Sequence, residues 1–139
     1  MRLVPFALLG LSILAVPVSD ATYTTVFTKT YNFNGVFTGQ TTTDTFSMPD
    51  PGGALPAACY YRGLSGGPAG SILVRVYDAH GDLVFVDAIA GAGFFGLGQP
   101  LGLGGFTPGT WRVIVVAHGY IPATSISVRI AAASNPALC

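Results

Sequence analysis

Hydrophobic and polar residues follow two different patterns along the chain. The first is an apolar run over residues 3–18, preceded by Arg2 and followed by Ser19-Asp20-Ala21. The second begins at once: over residues 22–33, aromatic and threonine residues alternate with the two-residue period of a β-strand. The two patterns predict a short leader segment followed by a body built from strands.

The apolar run predicts a secretory signal peptide over residues 1–21. It is about 16 residues long, shorter than the roughly 20 apolar residues that a membrane-spanning helix needs, and no basic cluster follows it. On this interpretation the mature protein is residues 22–139, a single domain that is secreted or held at the cell surface. An uncleaved membrane anchor is the alternative interpretation.

Alternation recurs through the rest of the chain, broken by turns rich in Gly, Pro and Asp. The clearest pair of strands is residues 71–78 and 83–90, joined by a turn in which Gly81 supplies a positive φ. The other predicted strands are residues 22–33, 41–48, 55–62, 110–118 and 124–131. Seven or eight short strands of this kind predict an all-β fold, an antiparallel β-sandwich of jelly-roll or immunoglobulin-like type.

Composition supports this fold and narrows the range of functions. The chain has no glutamate and only one lysine, Lys29, although these two residue types are the ones that most favour exposed helices. The formal net charge is zero and no cluster of Lys or Arg is present. Binding to nucleic acid or to an anionic membrane depends on such a cluster. We therefore expect neither partner once the leader is removed.

Cys59 and Cys139 are the only two cysteines. An even number of cysteines in a secreted chain predicts a disulfide, which here would tie residue 139 to the body of the domain. Two free or intermolecular thiols are the alternative.

Two short motifs resemble catalytic or cofactor sites but lack the structure that such sites need. Residues 63–67 fit the G-x-S-x-G pattern of hydrolases, and residues 91–96 fit the G-x-G-x-x-G pattern of dinucleotide-binding proteins. Both patterns work only where a helix follows, and the Gly and Pro residues here would break one. We predict no catalytic residues, no cofactor and no enzymatic activity.

Asp78 and Asp82 flank the turn between residues 71–78 and 83–90, and they are candidate calcium ligands together with backbone carbonyls and Asp50 or Asp87. Calcium takes about six to eight oxygen ligands, so the simpler interpretation is a plain hairpin turn without a metal. His80 and His118 lack the spacing of a zinc site.

The alternating strand at the start of the mature chain indicates self-assembly, because an unpaired strand edge can accept or supply a strand. In this layout the chain resembles the subunits of archaeal and bacterial extracellular fibres assembled by donor-strand exchange. The resemblance implies a secreted structural protein that forms a homo-oligomer or filament, although the same strand could instead pair within its own domain. The contact residues of this strand would be Tyr23, Val26, Phe27, Tyr31 and Phe33.

The alternative function is that of a secreted β-sandwich module that binds carbohydrate or another surface. Exposed aromatic rings are suited to stacking on sugars, and Phe94 and Phe95 lie in a glycine-rich segment, residues 91–105. On this alternative, Phe94 and Phe95 are predicted to contact a polysaccharide at the cell surface. A small secreted enzyme or inhibitor has no supporting set of residues.

Overall fold

The computed structural model describes residues 23–50, 57–67, 69–89, 99–101, 107–133 and 139. In this part of the chain every pairing between strands is antiparallel and no helix is present. The all-β prediction is therefore confirmed. The strands are β1 (Tyr23–Met48), β2 (Ala57–Ser65), β3 (Ser71–Tyr77), β4 (Leu83–Ile89), β5 (Gln99–Pro100) and β6 (Gly109–Ala133).

Strand β6 is the one on which the rest of the sheet assembles. One of its edges pairs with β1 from Tyr23↔Ala133 to Met48↔Gly109. Its other edge pairs with β3 over residues 112–118 and with β2 over residues 125–133. Strand β4 extends the sheet beyond β3, and β5 extends it beyond β2.

The sheet thus has two halves that share β1 and β6. We call residues 23–33 of β1, residues 124–133 of β6, β2 and β5 the β2 half. Residues 40–48 of β1, residues 109–118 of β6, β3 and β4 form the β3 half.

Both long strands bend where the halves meet. The register between β1 and β6 shifts between Phe33 and Gly35 and again between Thr38 and Gln40, and such bulges let a strand bend. The bend turns the two halves to face each other. As a result the rings of Phe27 and Phe46, both in β1, lie with their centroids 5.2 Å apart.

The hydrophobic core lies between the facing halves. Alternation predicts its members well, because the inward positions of β3 and β6 are almost completely buried. Trp111 is among them, and its ring lies 6.0 Å from that of Phe46. The buried residues of these two strands include Ile72, Val74, Val76, Trp111, Val113, Val115, Ile126, Val128 and Ile130.

The predicted strand boundaries are wrong in two places. Residues 23–33 and 41–48, expected as separate strands, both belong to β1, and residues 110–118 and 124–131 both belong to β6. Pro122 lies inside β6 and has no register partner on either side. Its missing N–H therefore removes no ladder hydrogen bond, and the strand continues past it.

The predicted disulfide is present. Cys59 of β2 is bonded to Cys139 with a Cα–Cα distance of 5.3 Å, and Cys59 is completely buried. The pair packs against Ala57 and Ala133 on the outer face of the β2 half. A disulfide is typical of proteins in oxidising compartments such as the extracellular space.

Two other predictions lie outside the described residues. These are the signal peptide, residues 1–21, and the surface contacts Phe94 and Phe95. In the part of the chain that is described, no helix has the length and apolar character needed to cross a membrane.

Candidate functional site

The predicted assembly strand lies within its own domain, where it is paired with β6. Tyr23 opposes Ala133 in the register, and the register continues with a bulge at Val26 as far as Phe33. Tyr31 is buried, while Phe27 and Phe33 are partly buried against the core. The opposite edge of this strand has no partner strand among the described residues.

A half-exposed polar cluster joins the two segments of β1 across the bend. Lys29 Nζ lies 2.9 Å from Asp44 Oδ1, and the Tyr31 hydroxyl donates a hydrogen bond of 2.7 Å to Asp44 Oδ2. Burial acts to raise the pKa of Asp44, but the hydrogen bonds from Lys29 and Tyr31 outweigh it, so that this pKa is lowered. Burial, together with the Asp44 carboxylate, raises the pKa of Tyr31. The cluster therefore links the two halves through hydrogen bonds and an ion pair.

A second polar cluster is fully enclosed and joins β2 to β4. The Tyr60 hydroxyl donates to Asp87 Oδ2 at 2.9 Å, and Arg62 Nε donates to the same oxygen at 3.0 Å. Burial and the Asp87 carboxylate raise the pKa of Tyr60. Because Asp87 faces the core, it is not available as a calcium ligand beside Asp78 and Asp82, contrary to that part of the prediction.

The hairpin between β3 and β4 brings together Asp78, His80 and Asp82, whose candidate ligand atoms all lie within 4.8 Å of one another. Asp78 Oδ1 accepts hydrogen bonds from the backbone N–H groups of His80 at 2.9 Å and Asp82 at 3.0 Å. Through these bonds Asp78 stabilises the turn, which is a sufficient structural role for its carboxylate. The structure thus places His80 beside Asp78 and Asp82, the two predicted calcium ligands. Three side chains still supply fewer ligands than calcium takes.

The outer face of the β2 half carries polar residues in three rows that cross β1, β6 and β2. Arg129 stands out in the first row, because its guanidinium lies 4.0 Å from the centroid of the Tyr61 ring. Its Nη1 also lies 3.4 Å from Thr25 Oγ1. None of the residues in the rows is acidic. The rows are Thr28–Arg129–Tyr61, Thr30–Ser127–Gly63 and Asn32–Ser125–Ser65.

Two adjoining depressions lie along these rows, and we call them together the polar groove. Both are bordered by Ser125, whose hydroxyl is 2.6 Å from Asn32 Oδ1. The larger depression has a volume of about 390 Å³ and is lined by Thr30, Gly63, Leu64, Ser65, Ser125 and Ser127. The smaller has about 280 Å³ and is lined by Asn32, Phe33, Asn34, Ala123, Thr124 and Ser125.

The polar groove has no clear signature in the sequence. Its Ser, Thr and Asn residues occupy outward positions of predicted strands, where polar side chains are expected for solvation alone. One feature of the sequence could have indicated it. In residues 28–32, 61–65 and 125–129, Arg129 is the one charged residue at an outward position.

The outer face of the β3 half is different in character. Its middle rows place Ile114 and Val116 of β6 beside Arg75 and Leu73 of β3. It also carries an arginine over a tyrosine, since the Arg112 guanidinium lies 5.0 Å from the Tyr77 ring centroid. The outer face of the β3 half thus has apolar residues of β6 between threonines of β1 and residues of β3, where the β2 half has serines.

No protein-family model and no curated protein matches the chain. Among solved structures, the chain is similar to one from infectious bursal disease virus Gt strain, with 11% identity and a TM-score of 0.38 over 84% of this chain. A structure of the Gx strain gives 12% identity and a TM-score of 0.34 over 90% of this chain. In each case the chain spans 38% of the viral chain's length. Similarity at these TM-scores supports no functional conclusion.

Proposed function

We propose that the protein is a secreted, non-enzymatic structural protein whose subunits assemble through β1 into an extracellular fibre or surface layer. The observation that carries the proposal is the 26-residue strand β1, which pairs only with β6 among the described residues. An unpaired edge of this length is a template for pairing with another chain. In the proposed subunit the two facing halves are the layers of a β-sandwich.

The bend in β1 gives a route for exchange of its first segment. Residues 23–33 and 40–48 pair with opposite ends of β6, and the bulged residues between them are Asn34 and Gly39, of which Gly39 has a φ of 77°. If the bend opens, residues 23–33 can pair with β6 of a neighbour. The same hydrogen bonds then re-form between subunits, which is the low-cost exchange of domain swapping.

The low charge of the chain also supports association. The formal net charge is zero and only 9% of the residues are charged. A protein without net charge has little electrostatic repulsion between its copies, and this favours association at working concentrations.

Cross-linking can test which β6 the first segment of β1 pairs with. Thr30 and Ser127 are register partners in the β2 half, and Thr43 and Ile114 are register partners in the β3 half. In assembled protein we expect the Thr30→Cys/Ser127→Cys pair to form disulfides between subunits, giving a ladder on a non-reducing gel. The matched Thr43→Cys/Ile114→Cys pair should form its disulfide within one chain.

Two results would contradict the proposal. The first is the absence of regular assemblies in negative-stain electron micrographs of residues 22–139 as the concentration is raised. The second, a Thr30→Cys/Ser127→Cys disulfide that stays within one chain in the assembled sample, would contradict the exchange of residues 23–33.

A further inference from the structure

We propose that the polar groove binds an acidic saccharide chain, with Arg129 holding a carboxylate group of the sugar and the groove holding its hydroxyl groups. The proposal does not depend on self-assembly, because the groove opens on an outer face of one subunit and is complete within it.

The shape of the groove depends on a residue without a side chain. A Cβ atom at Gly63 would lie 2.7 Å from Ser127 Oγ, so any larger residue would enter the space beside Ser127. The larger depression, about 390 Å³, falls in the usual size range of small-ligand sites. The second depression continues it past Ser125 along β6, and a linear chain of sugar units requires an elongated site of this kind.

The lining is suited to sugar hydroxyls. Thr30, Ser65 and Ser127 bring hydroxyl groups that both donate and accept hydrogen bonds, and Asn34 brings an amide with two donors and an acceptor. Leu64 also borders the depression, but its side chain packs against the hydrophobic core. These small hydroxyls and the amide match the ring of hydroxyl groups around a pyranose.

Arg129 sets the preference for an acidic sugar. It occupies the row next to Ser127 on the same face and has no carboxylate partner among the described residues. Tyr61 holds the guanidinium plane from one side at 4.0 Å. A guanidinium fixed in this way loses little side-chain entropy when it binds, and its planar donors match the two oxygens of a carboxylate.

The chain contains its own matched control. Arg112 also lies over a tyrosine, Tyr77, but its neighbours along β6 on that face are Ile114 and Val116 rather than serines. The two arginines carry the same charge and the same type of ring contact. They differ in the presence of a hydroxyl-lined groove beside them.

The test is a titration of the mature chain, residues 22–139, with trigalacturonate and with the neutral trisaccharide maltotriose, followed by calorimetry and amide NMR. We expect saturable binding of trigalacturonate, with shifts centred on Ser125, Ser127 and Arg129, and binding of maltotriose at least tenfold weaker. Arg129→Gln should weaken trigalacturonate binding by about tenfold or more, and Arg112→Gln should change it less than twofold. Gly63→Val, which fills the groove but keeps Arg129, should also weaken it by tenfold or more.

Several results would overturn the proposal: no saturable binding of trigalacturonate, equal binding of maltotriose, shifts centred away from the groove, or equal losses in the two arginine variants. Thermal unfolding of each variant shows whether it is folded. The NMR shifts of the unaltered chain locate the site even if a variant is not. Because binding is measured on dispersed protein, its failure is distinct from a failure to assemble.

Discussion

Asp44 and Asp87 both link the facing halves through hydrogen bonds, but they differ in solvent exposure. Each carboxylate accepts hydrogen bonds from a tyrosine and a basic side chain across the facing halves. The side chains of Lys29 and Asp44 are 43% and 23% exposed, whereas those of Arg62 and Asp87 are 7% and 3% exposed. Water can replace a lost partner in the first cluster but not in the second. The two clusters should therefore differ strongly in what their carboxylates contribute to stability.

Asp87→Ala is expected to lower the free energy of unfolding by about 3–5 kcal/mol, because it removes a carboxylate that is ion-paired with the buried Arg62 guanidinium. The matched variant Asp44→Ala should cost only about 1 kcal/mol, since solvent screens and hydrates Lys29. Urea unfolding at pH 7 measures both values. Equal losses would show that burial does not separate the two clusters.

The buried tyrosines predict a loss of stability at high pH. The pKa values of Tyr31 and Tyr60 are raised above their ordinary value of 10.0, so the folded chain holds these protons more tightly than the unfolded chain. Their contribution is complete below pH 10 and declines as the pH rises above it. We expect the free energy of unfolding to fall between pH 10 and 11.5. Tyr60→Phe should make that fall shallower, and an unchanged slope would contradict the assignment to Tyr60.

At the scale of the elements, the start of β3 is held against the bend of β6 by a close backbone contact. The Gly70 N–H donates a hydrogen bond of 2.6 Å to the Tyr120 carbonyl. A Cβ atom at Gly70 would overlap the backbone of His118 and Gly119, and Gly119 itself has a φ of 89°. Gly70, which immediately precedes β3, and Gly119 of β6 thus allow β6 to change partners from β3 to β2.

Gly70→Ala is expected to destabilise the fold by about 3 kcal/mol, because the added methyl group has only backbone to displace. Gly39→Ala is the matched control in the bend of β1. It has a φ of 77° but no heavy atom within 4 Å of the added Cβ, so only the left-handed backbone penalty of about 1 kcal/mol applies. Thermal or urea unfolding gives the comparison, and a smaller loss for Gly70→Ala would refute the close contact.

Alternation along the sequence was sufficient to predict which residues of β3 and β6 face the core, because burial of one face imposes a two-residue period. It failed at the bends. Gly39 and Pro122 have the local character of a loop and lack register partners, yet β1 and β6 continue past them because the residues on either side are paired. The polar groove was also beyond prediction, because the neighbours of Ser127 are fixed by the register of three strands.

For the whole molecule, the disulfide and β6 are the two features that connect distant parts of the chain. Cys59 and Cys139 are separated by 80 residues, and Cys59 pairs with Ala131 across the β2–β6 ladder. The cross-link therefore closes a loop that contains β3, β4, β5 and β6. A loop of this size restricts the unfolded chain considerably.

Reduction of the disulfide, or the double variant Cys59→Ala/Cys139→Ala, is expected to lower the free energy of unfolding by about 4 kcal/mol on the chain-entropy estimate for such a loop. This is a large part of the roughly 5–15 kcal/mol that stabilises a typical domain. Urea unfolding with and without reductant measures the difference. An unchanged urea midpoint after reduction would mean that the bond does not constrain the unfolded chain.

The central place of β6 also determines when the protein can fold. Strands β1, β2 and β3 precede it along the chain, and each needs it as a partner. Among the described strands, only the β3–β4 hairpin and the short β2–β5 pair have both members before residues 109–133 are synthesised. The nascent polypeptide therefore stays open until late in translation, because pairings between such distant segments form slowly and last. A chain that delays its folding in this way can still be threaded through a secretion channel.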